Sequence, residues 1–575
     1  MTSIALFAFA LLAAAWRWKE QEQQGPSEEE ASLAPEVMRL RQLLSTEELI
    51  HPFLRASDDG STTTTTVANF CDLASACATC CGVSPSADAR IAGGSESSKA
   101  IRKELVDLMG GTRRQHIILI LCDGLGNNII NQHLPPQAFL RKYNQPKKLR
   151  AVFPSTTPAA LTTLATAQWP GQHGVPGWDL REVMGCDYPG DPVADTVQLR
   201  VLAPKITNLR TGAPTTYPSI DDVFVAKPWA RAIRQNRALR RMMYINAYNG
   251  DEFPSWYQGT TTAAGTDNQE ESHENRTASV TTDFSAWQMA GSNDDPTDDV
   301  TTRTYDGRDP FEAVKIHETA QETLGEPEGS KAAIQFFADG VDASLSAIAN
   351  VQELGQKSFH YIYTAHPDKH MHALGTNHPE VAAVVQGIND QVERLCHSLS
   401  NRSTFLQKYG KNNGAAGDSE DSSSAMDVSI IITADHGHIT VSPDEMIQLP
   451  SNVIECLEYA NIGVHGKGRH GYLHCKSGLQ TALRERWRSH KELSDAFLLL
   501  TIEEAAEHGL FGPHQSPLLQ VRPRLGDYVA IATTGATLVS PKEHEAHTHH
   551  CQGAHGSLLP EEMKIPFILF TPASS

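Results

Sequence analysis

Four short apolar runs punctuate the chain: His116 to Cys122 (HIILILC), Met242 to Ala247 (MMYINA), Phe359 to Tyr363 (FHYIY) and Val428 to Thr433 (VSIIIT). Each is continuous rather than alternating, the pattern of a strand buried on both faces in a parallel sheet. Between the last two runs, Val381, Val384, Val385, Ile388, Val392 and Leu395 recur at helical spacing and predict an amphipathic helix. Val67, Phe70, Leu73, Ala74, Cys77 and Cys81 predict a packed helix earlier on. Strands alternating with helices predict an α/β fold, a helix-covered and mostly parallel sheet. In such sheets, sites gather where strands end and loops begin.

Other stretches carry no such pattern. Residues 1–66 read as a leader ending in the low-complexity run Ser61 to Thr66, with one helix around Pro35 to Leu54. The remainder, 67–575, reads as one catalytic domain with insertions at about 185–330 and 412–427. Within these, Thr260 to Asp309 is rich in Thr, Asp, Ser and Asn, and Asn412 to Asp427 in Gly and Ser, compositions that bury little apolar surface. Residues Ser3 to Trp16 form an apolar run of signal-peptide length, but Arg17 and Lys19 follow it and no Lys or Arg precedes it. The sequons at Asn275 and Asn401 are compatible with secretion, so a secretory or organellar start and a cytoplasmic one both stay open. No other segment reads as a membrane span.

Charge narrows the partners. Among 575 residues, 48 Lys and Arg stand against 68 Asp and Glu, a net charge of −20, which speaks against binding along a nucleic-acid backbone. An anionic substrate would have to be attracted locally. The 10 cysteines show no regular framework, and Cys77-Ala-Thr-Cys80 lacks a second pair to complete a zinc site, so they read as core residues or free thiols.

The chemistry lies in an order of motifs: Asp123 after an apolar strand, Thr157 in Phe153-Pro-Ser-Thr-Thr-Pro, Asp368 with His372, Asp435-His436-Gly437, and His555-Gly556. Three Asp and three His suit zinc or a similar first-row ion, and two such ions can clamp both oxygens of an in-line phosphoryl displacement. The chain therefore reads as a hydrolase of small phosphate esters. The paired threonines precede a helix-forming run with proline just inside it, so a hydroxyl sits near a helix N-terminus, where partial positive charge favours a phosphoryl group. Singly, each residue has an ordinary reading: Thr156 or Thr157 as an N-cap, Asp123 as a strand-end cap, Asp435-His436-Gly437 as a polar turn.

Several segments together carry a resemblance: ILILCDGLG ending at Gly126, FPSTTPAALTTLATAQWPGQHGVPGW ending at Trp178, YTAHPDKHMHALG ending at Gly375, IITADHG ending at Gly437, and GAHGSLLPEEMKIPFILF ending at Phe570. Weaker similarity lies in Gly466-Lys-Gly-Arg469 and Arg524-Leu-Gly-Asp527. The chain resembles the alkaline phosphatase superfamily and, within it, the type I phosphodiesterase and nucleotide pyrophosphatase family. The resemblance implies a three-layer sandwich around the sheet and two divalent ions, expected as zinc. It places Asp123, Thr157, Asp435 and His436 around one ion and Asp368, His372 and His555 around the other. It also implies Thr157 as the nucleophile, rather than Thr156, passing through a phosphorylated or nucleotidylated threonine. His366, His370 and His378 compete with His372, which has the family's spacing from Asp368, and His370 is expected near the site or at the surface; His544, His547, His549 and His550 form a separate His-rich loop.

Two departures limit the substrate. Where nucleotide phosphodiesterases of this family carry an Asn after the His-Gly segment, this chain has His173-Gly-Val-Pro-Gly-Trp178; where they have Phe-Pro-Asn, it has Pro158-Ala-Ala160. Neither removes an implied ligand, but a missing donor can cost about 3 kcal/mol of transition-state stabilisation. A phosphomutase or phosphomonoesterase of the same superfamily, and a non-catalytic scaffold that keeps the fold, are the alternatives.

Overall fold

The computed structural model describes residues 34–56, 64–83, 96–146, 148–184, 195–200, 205–209, 214–215, 226, 229, 242–247, 328–410, 425–460, 463–466, 468–513, 522–539 and 552–572. The apolar run at Ser3 to Trp16, the Thr/Asp-rich stretch, the sequon at Asn275, most of the 412–427 segment and the His-rich loop at 544–550 lie outside them.

The elements that position the site are, in chain order, helix α1 (Phe70–Cys80), strand β1 (His116–Cys122), helix α2 (Thr157–Thr166), strand β2 (Met242–Ala247), helix α3 (Glu328–Glu353), strand β3 (Ser358–Thr364), helix α4 (Asp368–Leu374), helix α5 (Pro379–Leu399) and strand β4 (Val428–Thr433), followed by β5 (His465–Gly466), β6 (His470–Leu473), β7 (Phe497–Thr501), β8 (Tyr528–Ala532) and β9 (Ile568–Phe570). The central sheet is mixed, ordered β9-β4-β1-β3-β2. β1 lies parallel to both β3 and β4, β3 parallel to β2, and β9 closes the other edge antiparallel to β4. β1 and β4 are buried along their whole length, which is why both read as unbroken apolar runs. Helix α5 turns the predicted stripe inward, with Val381, Val384, Val385, Ile388, Val392 and Leu395 all buried. Helix α3 packs against it and against β2 and β3, and α1 packs against α2.

A second, antiparallel sheet, ordered β5-β6-β8-β7, has its own core around Trp487, Phe497, Leu499 and Leu538. Within the region read as an insertion, the backbone runs as four antiparallel strands from Asp179–Met184 to Pro214–Thr215, whereas β2, inside the same region, belongs to the central sheet. The segment read as a leader is partly built into the fold. Helix Pro35–Ser45 buries Val37 and Leu40, while Glu36 pairs with Arg488 at 2.6 Å and Arg39 donates to the Ser494 carbonyl at 2.5 Å. Leu49 and Ile50 join the main core. Among the described residues no helix is long and apolar enough to cross a membrane.

Candidate metal centre

Register brings the first residues together. β1 and β4 run in parallel with Leu121 opposite Thr433, so Asp123 and Asp435, each two residues further on, emerge side by side at the carboxyl edge of the sheet. Asp435 Oδ1 accepts from the N–H groups of Gly124 and His436 at 3.1 and 3.0 Å, which turns Oδ2 inward. Tyr363, near the end of β3, donates its hydroxyl to Asp123 Oδ2 at 2.6 Å and leaves Oδ1 free of hydrogen bonds. Gly124 has a φ of +70°, and a Cβ there would lie 3.0 Å from the Asp368 Cβ, so a residue without a side chain lets the third acid approach.

The paired threonines separate cleanly. Thr156 is the N-cap of α2 but makes no side-chain cap, whereas Thr157, the first helical residue, points Oγ1 at Asp123 Oδ2 (3.5 Å) and His436 Nε2 (3.3 Å). His436 Nε2 also lies 3.3 Å from both Asp123 Oδ1 and Asp435 Oδ2. Tetrahedral bonds of about 2.0–2.1 Å give ligand-to-ligand edges of roughly 3.3 Å, which the separations of His436 Nε2 from Thr157, Asp123 and Asp435 match.

Beside them, α4 presents Asp368 and, one turn on, His372, with His372 Nε2 3.4 Å from Asp368 Oδ2. His555 Nε2 approaches Asp368 Oδ1 at 3.6 Å, and its ring stacks on His436 at 3.6 Å, 9° from parallel. Of the competing histidines, His366 and His370 are buried and bond to each other at 2.8 Å, and His378 accepts from the Glu380 N–H at the start of α5. His370 is therefore interior, not at the surface.

Burial and crowding set the electrostatics. Burial, then the neighbouring Asp435 and Asp368 carboxylates, holds Asp123 well above the usual carboxylate range. Burial likewise pushes Asp435 up to about 7. Burial also works against an ionised Asp368, but the surrounding His372, His438 and His555 outweigh it and hold that group well below the ordinary value. The same burial, with His436 alongside, keeps the His555 ring neutral by lowering it well below its ordinary value. Asp123 Oδ1, Asp368 Oδ1 and Asp435 Oδ2 are buried without a hydrogen-bond partner, atoms that a divalent cation would satisfy and that are otherwise expensive to bury. The donor set therefore fits metal: two groups close enough to hold ions are Asp123, Asp368 and His436, and Asp368, His372, His438 and His555.

A family model for type I phosphodiesterase / nucleotide pyrophosphatase matches residues 117–558. The chain belongs to that family. Membership makes it a hydrolase of phosphodiesterase or pyrophosphatase type, and the seven residues chosen from sequence all fall inside the matched span. Among curated proteins none matches this chain. Solved structures that align with it include murine ectonucleotide pyrophosphatase / phosphodiesterase 5, an inactive form in complex with AMP, at 15% identity and a TM-score of 0.46 over 80% of this chain and 88% of that one. The human protein of the same name aligns at 16% identity and a TM-score of 0.43, again over 80% and 88%. Phosphonoacetate hydrolase from Sinorhizobium meliloti, in complex with phosphonoformate, aligns at 15% and 0.44 over 79% and 90%.

Sequence reasoning missed three parts of this centre. Tyr363 was hidden in a strand that reads only as core. His438 follows the Asp-His-Gly triplet, where its signal was a further imidazole beside two chosen ligands. The third is a brace: Arg469 grips Glu562 through Nε (3.2 Å) and Nη2 (2.8 Å), both side chains wholly buried. Glu562 in turn accepts from Ser557 N through Oε1 and from Gly437 N through its carbonyl, tying together the loops after His436 and His555.

Proposed function

We propose that the chain hydrolyses small phosphodiesters with two divalent ions, expected as zinc, through a covalent intermediate on Thr157. Asp123, Thr157, Asp435 and His436 would hold one ion, and Asp368, His372 and His555 the other. The fold that accompanies this reading is a three-layer sandwich of the alkaline-phosphatase type with a mostly parallel sheet, spanning about 67–575 plus the packed residues before it. The observation that carries it is Thr157 Oγ1, buried and aimed at Asp123 and His436 rather than used as a helix cap.

When bound, the ions supply Lewis-acid stabilisation of phosphoryl oxygens and lower the pKa of hydroxyl groups. The chain does the rest. Helix α2 fixes Thr157 at its N-terminus, where unpaired N–H groups and the helix dipole favour a phosphoryl group. Tyr363 fixes Asp123, and the Asp435 carboxylate is fixed by two backbone N–H groups. The Thr157 oxygen would form a bond to phosphorus as its proton passes, through solvent, to the ester oxygen that leaves with its electron pair; water then cleaves the threonine ester, its oxygen going to phosphorus and a proton back to Thr157, so configuration at phosphorus is retained over two displacements.

A chromogenic phosphodiester and its monoester, turned over by zinc-loaded protein with Thr157→Ala as the blank, test this. Faster diester cleavage is expected. Faster monoester cleavage would move the assignment to a phosphatase, and turnover retained in Thr157→Ala but lost in Thr156→Ala would move the nucleophile.

A further inference from the structure

His438 has no part in the ligand sets above, yet it is built like the ligands beside it. His372 Nδ1 meets the Gly553 carbonyl at 2.8 Å and His555 Nδ1 the Ser155 carbonyl at 2.8 Å; His438 Nδ1 meets the Ile439 carbonyl at 3.1 Å. A neutral ring that donates from Nδ1 carries a bare lone pair at Nε2, the arrangement that backbone carbonyls impose on metal-binding histidines. His438 Nε2 faces Asp368 Oδ1 at 3.2 Å, and both atoms are buried without a hydrogen-bond partner. Two such acceptors lie together in a dry interior only if a proton or a cation stands between them.

Backbone pairing makes the position deliberate. Strands Ile439–Thr440 and Gly553–Ala554 pair antiparallel, with Ile439 opposite Ala554, so the next pair outward is His438 and His555. Their ring centroids are 5.3 Å apart, and His438 and His372 stand at 4.7 Å. Room for the His438 ring exists because residue 553 is glycine: a Cβ there would lie 2.7 Å from His438 Cε1. The approaches of His438, His372 and His555 to Asp368, at 3.2, 3.4 and 3.6 Å, bracket the edge of roughly 3.3 Å expected for tetrahedral bonds of about 2.0–2.1 Å.

We propose that His438 is a fourth protein ligand, so that Asp368, His372, His438 and His555 enclose one divalent ion. The inference rests on the two-ion reading of the function. Sites closed by four protein ligands are the structural kind, whereas catalytic ones keep a position open. The ion at the second group is therefore the slower of the two to exchange, and it meets a substrate oxygen only by taking a fifth ligand.

The test uses full-length protein loaded with Co²⁺ alone, in the unmodified, His438→Ala and His372→Ala forms. Three readouts are taken: ions per chain, the rate of ion release to a chelator, and visible absorption. The unmodified chain should hold two ions, one released slowly. Both variants should release that ion at least about tenfold faster, with a changed Co²⁺ absorption band. A His438→Ala protein with unchanged release and spectrum, beside a His372→Ala protein that loses an ion, would overturn the inference and leave His438 a neighbour of Asp368. Failure of the unmodified chain to bind Co²⁺ would instead sink the two-ion reading and the inference with it. Should His438→Ala not fold, proton NMR of the unmodified Co²⁺ protein decides: four paramagnetically shifted, exchangeable ring N–H signals are expected, from His372, His436, His438 and His555, and three would refute it.

Discussion

The two groups of side chains at the edge of the sheet meet at a stacked histidine pair and at Asp368, but they are held in different ways. The first hangs from the ends of adjacent parallel strands and the start of a well-buried helix, and its candidate donors are mostly oxygens: Asp123, Asp435 and Thr157 around His436. The second hangs from a short helix and a two-residue ladder outside the main sheet, and three imidazoles surround one carboxylate. Burial makes the difference consequential. Crowded carboxylates raise one another, so Asp123 and Asp435 cannot both ionise comfortably without a cation, whereas Asp368 has imidazoles to hold its charge. The lesson is that two neighbouring groups can be tuned in opposite directions, one by burial among carboxylates and one by imidazoles around a single carboxylate.

Chelation should remove both groups at once: turnover falls to background and zinc restores it, as assayed by diester hydrolysis before and after dialysis against a chelator. Thr157→Ala separates them, since it should lower turnover by about 10⁴-fold or more while the second group keeps its ion, read by kinetics alongside elemental analysis. Arg469→Met strands the buried Glu562 that braces both groups and should cost about 3–5 kcal/mol in denaturant unfolding. A variant as stable as the parent would show the brace to be dispensable. Tyr363→Phe removes the hydroxyl that holds Asp123, so a loss of about 10- to 100-fold in turnover or metal affinity is expected, with the slowly exchanging ion unaffected.

A further effect concerns pH. With Asp435 raised to about 7 in the folded, chelated chain and near 3.8 when unfolded, the folded state binds the extra proton between those values. Stability of the chelated protein should therefore fall as pH rises from about 4 to about 7, an effect that saturating zinc abolishes; thermal unfolding across that range measures it. A chelated protein indifferent to pH there would break the electrostatic half of the comparison.

The same contrast governs what could be read from sequence. The first group was legible because strands buried on both faces spell themselves out, and Asp123 and Asp435 stand at their ends. Helix α5 was legible because its stripe is long and regular. In residues 34–56 the helix was legible but its docking was not, because helix Pro35–Ser45 is anchored through Glu36 and Arg39, residues that look like a solvated face until their partners at Arg488 and Ser494 arrive from far along the chain. His438 was passed over for a related reason: what fits it to its neighbours is a bare glycine at 553, and no local pattern connects the two. Asn401, a sequon residue, is an exposed N-cap for helix Arg402–Tyr409, accepting from the Thr404 N–H.

The ladder between Ile439–Thr440 and Gly553–Ala554 also has a meaning in time. Every residue of the first group has been synthesised once residue 436 has emerged, but His555 comes 119 residues later, and closing so long a loop is slow compared with local pairing. On the ribosome the first group can be assembled from the growing chain while the second stays open until His555 has emerged. A chain cut short before Gly553 would therefore be able to gather one ion and never the other, and premature termination would be recorded in the metal content of the product.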